Sequence, residues 1–141
     1  MKQVSRSALV SFSAEQMFNL VNDVASYPEF LPGCSGSRVI ESSSDAMVAS
    51  VDVAKAGISK TFTTSNELIN GEAIIMNLVD GPFKRLNGSW SLTEINENVT
   101  SVKFNIDYEL KNFFIDKASK LISKTIIENL VNDFKFKVEK I

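Results

Sequence analysis

The sequence predicts an α+β fold in which a curved antiparallel sheet of seven strands surrounds a long C-terminal helix. Two observations support this architecture. Side chains alternate with a period of two from residue 37 to residue 109, and helical spacing takes over from residue 114. The 141 residues suit one domain covering 1–141, and 44% of them are hydrophobic. We therefore expect a single domain with one substantial core.

The N-terminal half contains a strand, a short helix and the start of the meander. The first strand is predicted over residues 3–11, where apolar residues alternate with serines. Ser13 and Gln16 then have the spacing of a capping box, which predicts a short amphipathic helix. Six strands follow, separated by the turn sequences 43–45, 56–57, 70–71, 80–82 and 96–98. Consecutive strands joined by short turns predict an antiparallel meander.

The C-terminal segment predicts one long amphipathic helix. From Phe114 to about Lys137 there is no glycine or proline, and apolar residues recur at helical spacing. At 1.5 Å per residue the helix is about 36 Å long. We expect it to lie across the concave face of the sheet, opposite Trp90 and Phe104.

The composition excludes several kinds of chemistry. The chain has no histidine and one cysteine, Cys34. Ser-His-Asp and Cys-His nucleophile systems, histidine zinc sites and intramolecular disulfides are therefore excluded. Lysine and arginine total 15 against 17 acidic residues, a formal net charge of −2. This balance disfavours a wholesale nucleic-acid binder but leaves a local basic patch open.

No catalytic or metal site is predicted. The carboxylates that lie on predicted strands and could point into a cavity are Asp52, Glu67, Asp107 and Glu109. A paired-carboxylate site needs a fixed separation between its two members, and no spacing here identifies such a pair. Outward-facing charge is the alternative interpretation. We therefore expect a protein that is not an enzyme. The lack of a signal peptide or long apolar run favours a cytoplasmic location.

Strand order predicts which loops lie together. In a meander, alternate connections fall at the same end of the sheet. We call the rim the end formed by residues 27–33, 54–60, 80–85 and 110–114. The rim residues that could contact a membrane or another large anionic partner are Phe30, Leu31, Phe83, Lys55, Lys60, Lys84, Arg85 and Lys111. The alternative is that the aromatic residues close the end of the core and the lysines are merely solvated.

Several long strings carry a family resemblance. Residues 22–34, NDVASYPEFLPGC, resemble the signature of the coenzyme-Q-binding (Coq10-type) START-like family. The resemblance continues through residues 51–64 and 77–86 and ends at Gly88-Ser89-Trp90. Within that family the sequence is most similar to the bacterial RatA group, the ribosome association toxins. The resemblance covers essentially the whole chain, although the C-terminal helix is similar in its pattern of apolar residues more than in residue identity.

This resemblance implies a helix-grip fold with a hydrophobic tunnel. It implies ubiquinone as the bound ligand, with no other cofactor, and support of respiratory electron transfer. For RatA-like members it implies a toxin that binds the large ribosomal subunit and blocks subunit association. Such a toxin is paired with a small antitoxin. A lipid carrier would lie in the cytoplasm, peripheral to the inner membrane.

Two functions are therefore expected. The leading hypothesis is non-catalytic binding of ubiquinone or a related isoprenoid lipid, and the alternative is a RatA-type translation inhibitor. The residues expected to contact the ligand are Val24, Tyr27, Phe30, Leu31, Pro32, Phe62, Met76, Phe83, Leu86, Trp90, Phe104, Leu121 and Ile122. Phosphate contacts need only the lysines and arginines, whereas membrane docking needs Phe30 and Phe83 as well.

Overall fold

Seven strands form one antiparallel sheet in the computed structural model, which describes residues 2–55, 57–111 and 129–139. The strands are β1 (Lys2–Val10), β2 (Cys34–Ser42), β3 (Ala46–Lys55), β4 (Ile58–Ile69), β5 (Ala73–Asp80), β6 (Phe83–Asn96) and β7 (Val99–Leu110). Their order is β1-β7-β6-β5-β4-β3-β2. The predicted meander is confirmed, with the first strand added beside the last.

The described helices lie before and after this meander. They are α1 (Ala14–Asn22), a 3-10 turn (Val24–Ser26), α2 (Tyr27–Phe30) and α3 (Leu130–Glu139). At the start of α1, the Ser13 hydroxyl accepts a bond from the Gln16 backbone N–H (3.2 Å), and the Gln16 side chain accepts one from the Ser13 N–H (3.1 Å). The predicted capping box is therefore present. The predicted helix from residue 114 lies outside the described residues as far as 128, and α3 is its described part.

The core lies between the concave face of the sheet and the helices. Trp90 and Phe104 pack against each other with ring centroids 4.7 Å apart. Phe134 of α3 meets Trp90 edge-on at 5.3 Å, and all three side chains are almost fully buried. The C-terminal helix is thereby held against the sheet, as the fold prediction required.

The described parts of the loops predicted to form the rim lie at one end of the sheet. The backbone N–H of Ala54 donates to the Gly33 carbonyl (2.9 Å), and that of Lys111 donates to the Pro82 carbonyl (3.0 Å). These bonds join the entry to β2 with the end of β3, and the start of β6 with the end of β7.

None of the helices in the described ranges is long and apolar enough to cross a bilayer.

Candidate ligand cavity

A partly enclosed cavity of about 90 Å³ lies between the concave face of the sheet and the helices. The described residues that line it come from the five strands β3 to β7. Others come from the 3-10 turn, from α2 and the residue that follows it, and from α3. The lining residues are Val24, Tyr27, Leu31, Ala49, Val51, Phe62, Thr64, Asn66, Met76, Leu86, Trp90, Phe104, Ile106 and Leu130. An apolar space with few polar groups is the usual form of a small-molecule site.

Strand periodicity explains how these side chains meet. In a strand every second residue points to the same face, so β4 directs Phe62, Thr64 and Asn66 into the cavity together. On β6, Gly88 leaves space between Leu86 and Trp90. A Cβ atom at Gly88 would lie 2.8 Å from the Met76 Cε atom, so glycine allows Met76 to occupy that part of the wall.

The cavity wall carries no charge among its described residues. Its polar side chains, apart from the Trp90 indole with its N–H, are those of Tyr27, Thr64 and Asn66. The Tyr27 hydroxyl donates to the Val21 carbonyl, and burial raises the pKa of Tyr27. The Thr64 hydroxyl donates to the Asn66 side-chain oxygen at 2.9 Å, and these two residues are only 8% and 7% exposed. Charged ligands would be poorly stabilised in such a wall, since an unpaired buried charge is costly.

The structure places most of the expected ligand-contact residues at this cavity. Those in its wall are Val24, Tyr27, Leu31, Phe62, Met76, Leu86, Trp90 and Phe104. Leu121 and Ile122 lie outside the described residues. Phe30, Pro32 and Phe83 lie elsewhere: Pro32 is exposed, Phe30 is half-buried, and Phe83 belongs to the core.

Phe83 and Leu31, which were expected to contact a partner surface, are both buried. Phe83 is 5% exposed and packs edge-on between Phe62 and Tyr108, with centroids 5.9 and 5.8 Å away. Leu31 is 6% exposed and lines the cavity. Both residues turn inward because rings and alkyl groups from neighbouring elements complete their packing.

Phe30 is also engaged with the protein. Its ring meets Phe134 edge-on at 5.3 Å, and the Lys137 ammonium lies 5.5 Å from its centroid. A half-buried ring already covered by α3 offers little surface for insertion into a bilayer.

The basic part of the rim is more accessible. Lys84, Arg85 and Lys111 are exposed, whereas Lys60 is half-buried and the Lys55 side chain lies outside the described part of the structure. Phe83 pairs with Leu110 across β6 and β7. Lys84 and Lys111 are the residues that follow these two, so both lie where β6 begins and β7 ends. Arg85 lies directly opposite Glu109, so its charge is partly offset.

The four strand carboxylates face away from the cavity. They alternate with cavity-lining residues on β3, β4 and β7, which places them on the outer face. Asp52 is the best defined: both oxygens accept bonds from the Arg38 guanidinium at 3.1 and 3.3 Å, and Thr61 donates a third at 2.6 Å. The Arg38 and Thr61 bonds hold the pKa of Asp52 below its usual value. No group of three carboxylate or cysteine ligands suited to a metal occurs in the described ranges.

Sequence reasoning missed part of the wall. The lining residues that it did not name are Ala49, Val51, Thr64, Asn66, Ile106 and Leu130. The signal for Thr64 and Asn66 is their period-two spacing from Phe62, which puts all three on one face of β4. Their side chains are polar, and the structure shows that they nevertheless face the cavity.

Together these features define a class of protein. A seven-stranded antiparallel sheet that grips a C-terminal helix over an apolar cavity is the START-like, helix-grip architecture. The family described as polyketide cyclase / dehydrase and lipid transport matches residues 10–135. The chain belongs to this family.

Three curated relatives place the chain more closely. It is 61% identical over 134 residues to the ribosome association toxin RatA of Vibrio cholerae, covering 95% of this chain and 93% of the relative. It is 50% identical over 141 residues to the protein of the same name from Escherichia coli K12, covering 100% and 89%. A more distant relative is the mitochondrial coenzyme Q-binding protein coq10 of Schizosaccharomyces pombe, 23% identical over 135 residues and covering 91% and 81%.

Solved structures share the fold. The Zhui aromatase/cyclase from Streptomyces superposes with a TM-score of 0.82 at 17% identity, covering 99% of this chain and 94% of that one. A START superfamily protein from Mycobacterium smegmatis gives a TM-score of 0.80 at 22% identity, covering 98% and 97%. At these identities the likeness extends to the architecture and not to the chemistry.

Proposed function

We propose that this protein associates with the large ribosomal subunit and hinders its joining to the small subunit. The observation that carries the proposal is the 61% identity to a protein named ribosome association toxin RatA, over 95% of the chain. Identity of that extent over nearly the full length favours retention of the partner as well as the fold.

The surface supports an RNA-phosphate contact better than a membrane contact. Membrane docking at the rim requires exposed rings, yet Phe83 is buried and Phe30 is covered by α3. Phosphate contacts require exposed cations, and Lys84, Arg85 and Lys111 are exposed there. We therefore assign the ribosome contact to the basic rim.

Sedimentation with isolated ribosomal subunits tests this proposal. The protein should pellet with large subunits and not with small ones, and its binding should weaken steeply as salt rises. The double variant Lys84→Glu, Lys111→Glu should lose most of this binding. Lys103→Glu is the matched control, since Lys103 is an exposed lysine on the outer face of β7, away from the rim.

The results separate the partner from the surface. If the double variant pellets with large subunits as well as the wild type does, the contact lies on another face of the protein. Absence of pelleting at low salt would contradict ribosome association itself. Added protein should also lower the yield of joined ribosomes in a sucrose gradient, because the proposed contact hinders subunit joining.

A second candidate function is binding of a neutral lipid, with ubiquinone as the expected example. The apolar cavity favours it, together with the family's lipid-transport description and the coenzyme Q-binding relative. At about 90 Å³ the cavity is smaller than the roughly 150 Å³ that encloses a benzene ring, so a bound ring or tail would extend through its open side. We infer that it accepts one end of such a molecule, without catalysis. Solvent extraction of the native protein followed by mass spectrometry tests for a bound lipid.

A further inference from the structure

Asn66 is one of the few polar side chains in a largely apolar wall. It lies on β4 two residues after Thr64, and both are buried at the cavity. The Thr64 hydroxyl donates to the Asn66 Oδ1 atom at 2.9 Å. This bond defines the orientation of the amide, since the oxygen faces Thr64 and the nitrogen lies on the other side.

The amide nitrogen of Asn66 has bonding capacity left. An asparagine side chain offers one acceptor oxygen and two N–H donors. Across residues 2–55, 57–111 and 129–139, none accepts a hydrogen bond from Asn66 Nδ2. Asn66 Nδ2 is not among the fully enclosed side-chain atoms without a partner in those ranges, so it is accessible from the cavity space that Asn66 lines. A ligand that brings an acceptor oxygen into this cavity would supply what Asn66 lacks.

We propose that Asn66 Nδ2 donates a hydrogen bond to a carbonyl oxygen of a neutral, largely apolar ligand, and that Thr64 positions the amide for it. This rests on the second candidate function, that the cavity binds a small molecule. The ligand is neutral because the described wall holds no charged partner. It is an acceptor because the atom of Asn66 without a partner is the Nδ2 donor, whereas Oδ1 already accepts one bond from Thr64. Ketones, quinones and esters share this chemistry, whereas hydrocarbons do not.

A pair of probes with the same shape isolates the hydrogen bond. Acetophenone carries a carbonyl, and α-methylstyrene has a C=CH₂ group in its place. Dissociation constants for both are measured by NMR titration of the ¹⁵N-labelled protein, observing the indole N–H of Trp90, its single tryptophan. The quantity of interest is the ratio of the two constants, because changes in cavity size affect both probes alike.

Three variants and the wild type are compared. Asn66→Leu removes the donor and should lower the relative affinity for acetophenone about three- to tenfold, the range of one neutral hydrogen bond. Thr64→Val removes the positioning bond and should lower it by a smaller factor. Thr63→Val is the control: Thr63 is on the same strand but on the outer face, where its hydroxyl bonds Ser50 at 2.6 Å. The control should leave the ratio unchanged.

The outcomes distinguish this proposal from the function on which it rests. Retained binding of α-methylstyrene by Asn66→Leu shows that the variant is folded and that its cavity is intact. An unchanged ratio in that variant overturns the role of Asn66 while leaving the cavity as a ligand site. If neither probe binds the wild type, the ligand site fails and the role of Asn66 fails with it.

Discussion

The ring of Phe134 meets the indole of Trp90 edge-on, with centroids 5.3 Å apart, and this contact ties α3 to the concave face of β6. The same phenylalanine ring also contacts Tyr27 at 5.4 Å and Phe30 at 5.3 Å. One helical residue therefore joins the sheet, α2 and the C-terminal helix. Since Tyr27 and Trp90 also line the cavity, the stability of the fold and the shape of the cavity depend on the same contact.

We expect Phe134→Ala to destabilise the protein by about 3–5 kcal/mol, the usual cost of removing a fully buried aromatic ring. Phe136→Ala is the matched control on the same helix, because Phe136 is 62% exposed, and it should cost far less. Urea unfolding followed by circular dichroism measures both. Equal losses in the two variants would contradict the central role of Phe134.

Phe83 and Lys84 are neighbours with opposite environments. Phe83→Asp would place a charge between the rings of Phe62 and Tyr108. We expect this variant to lose more than about 3 kcal/mol of its free energy of unfolding, or to fail to fold. Lys84→Asp should leave the unfolding midpoint nearly unchanged while reducing sedimentation with the ribosome. Thermal unfolding and pelleting of the two variants separate the roles. A stable Phe83→Asp protein would show that Phe83 is outside the core.

Asp52 should give a pH-dependent contribution to stability. Its folded-state pKa is lowered by the bonds from Arg38 and Thr61. A carboxyl with a lowered folded-state pKa stabilises the protein at pH values above its unfolded-state pKa, and the contribution disappears as pH falls through the folded-state pKa. Asp52→Asn should therefore lower the urea midpoint slightly near neutral pH and have less effect in acid. The effect is small, because the ion pair is largely solvated. A difference that grows on acidification would contradict this assignment.

Cys34 should react slowly in the native protein. Its side chain is buried, and burial raises the pKa of the thiol, which reduces the reactive thiolate. We expect modification by Ellman's reagent to be at least about tenfold slower in buffer than in urea, since the thiol must wait for local opening. The rate of absorbance increase at equal pH measures this. Equal rates in the two conditions would show that Cys34 is accessible in the folded state.

The amino-acid sequence by itself determined the architecture of this protein. Alternation along β3, β6 and β7, the capping box at Ser13 and the helical spacing after residue 114 are local patterns. Each pattern indicates which face of its own element is apolar. Short turns between successive strands favour pairing of each strand with the next. For the same reason the position of the rim followed from strand order.

Only the tertiary structure decided which way individual side chains at the rim and the cavity point. Phe83 was a candidate for an exposed contact, yet rings from β4 and β7, distant in sequence, surround it. Asn66 is a polar residue that the sequence did not mark as part of the cavity, yet the structure places it in the cavity wall with Phe62. Burial is a property of the neighbours that folding brings together, so it could not be read from either residue's own segment.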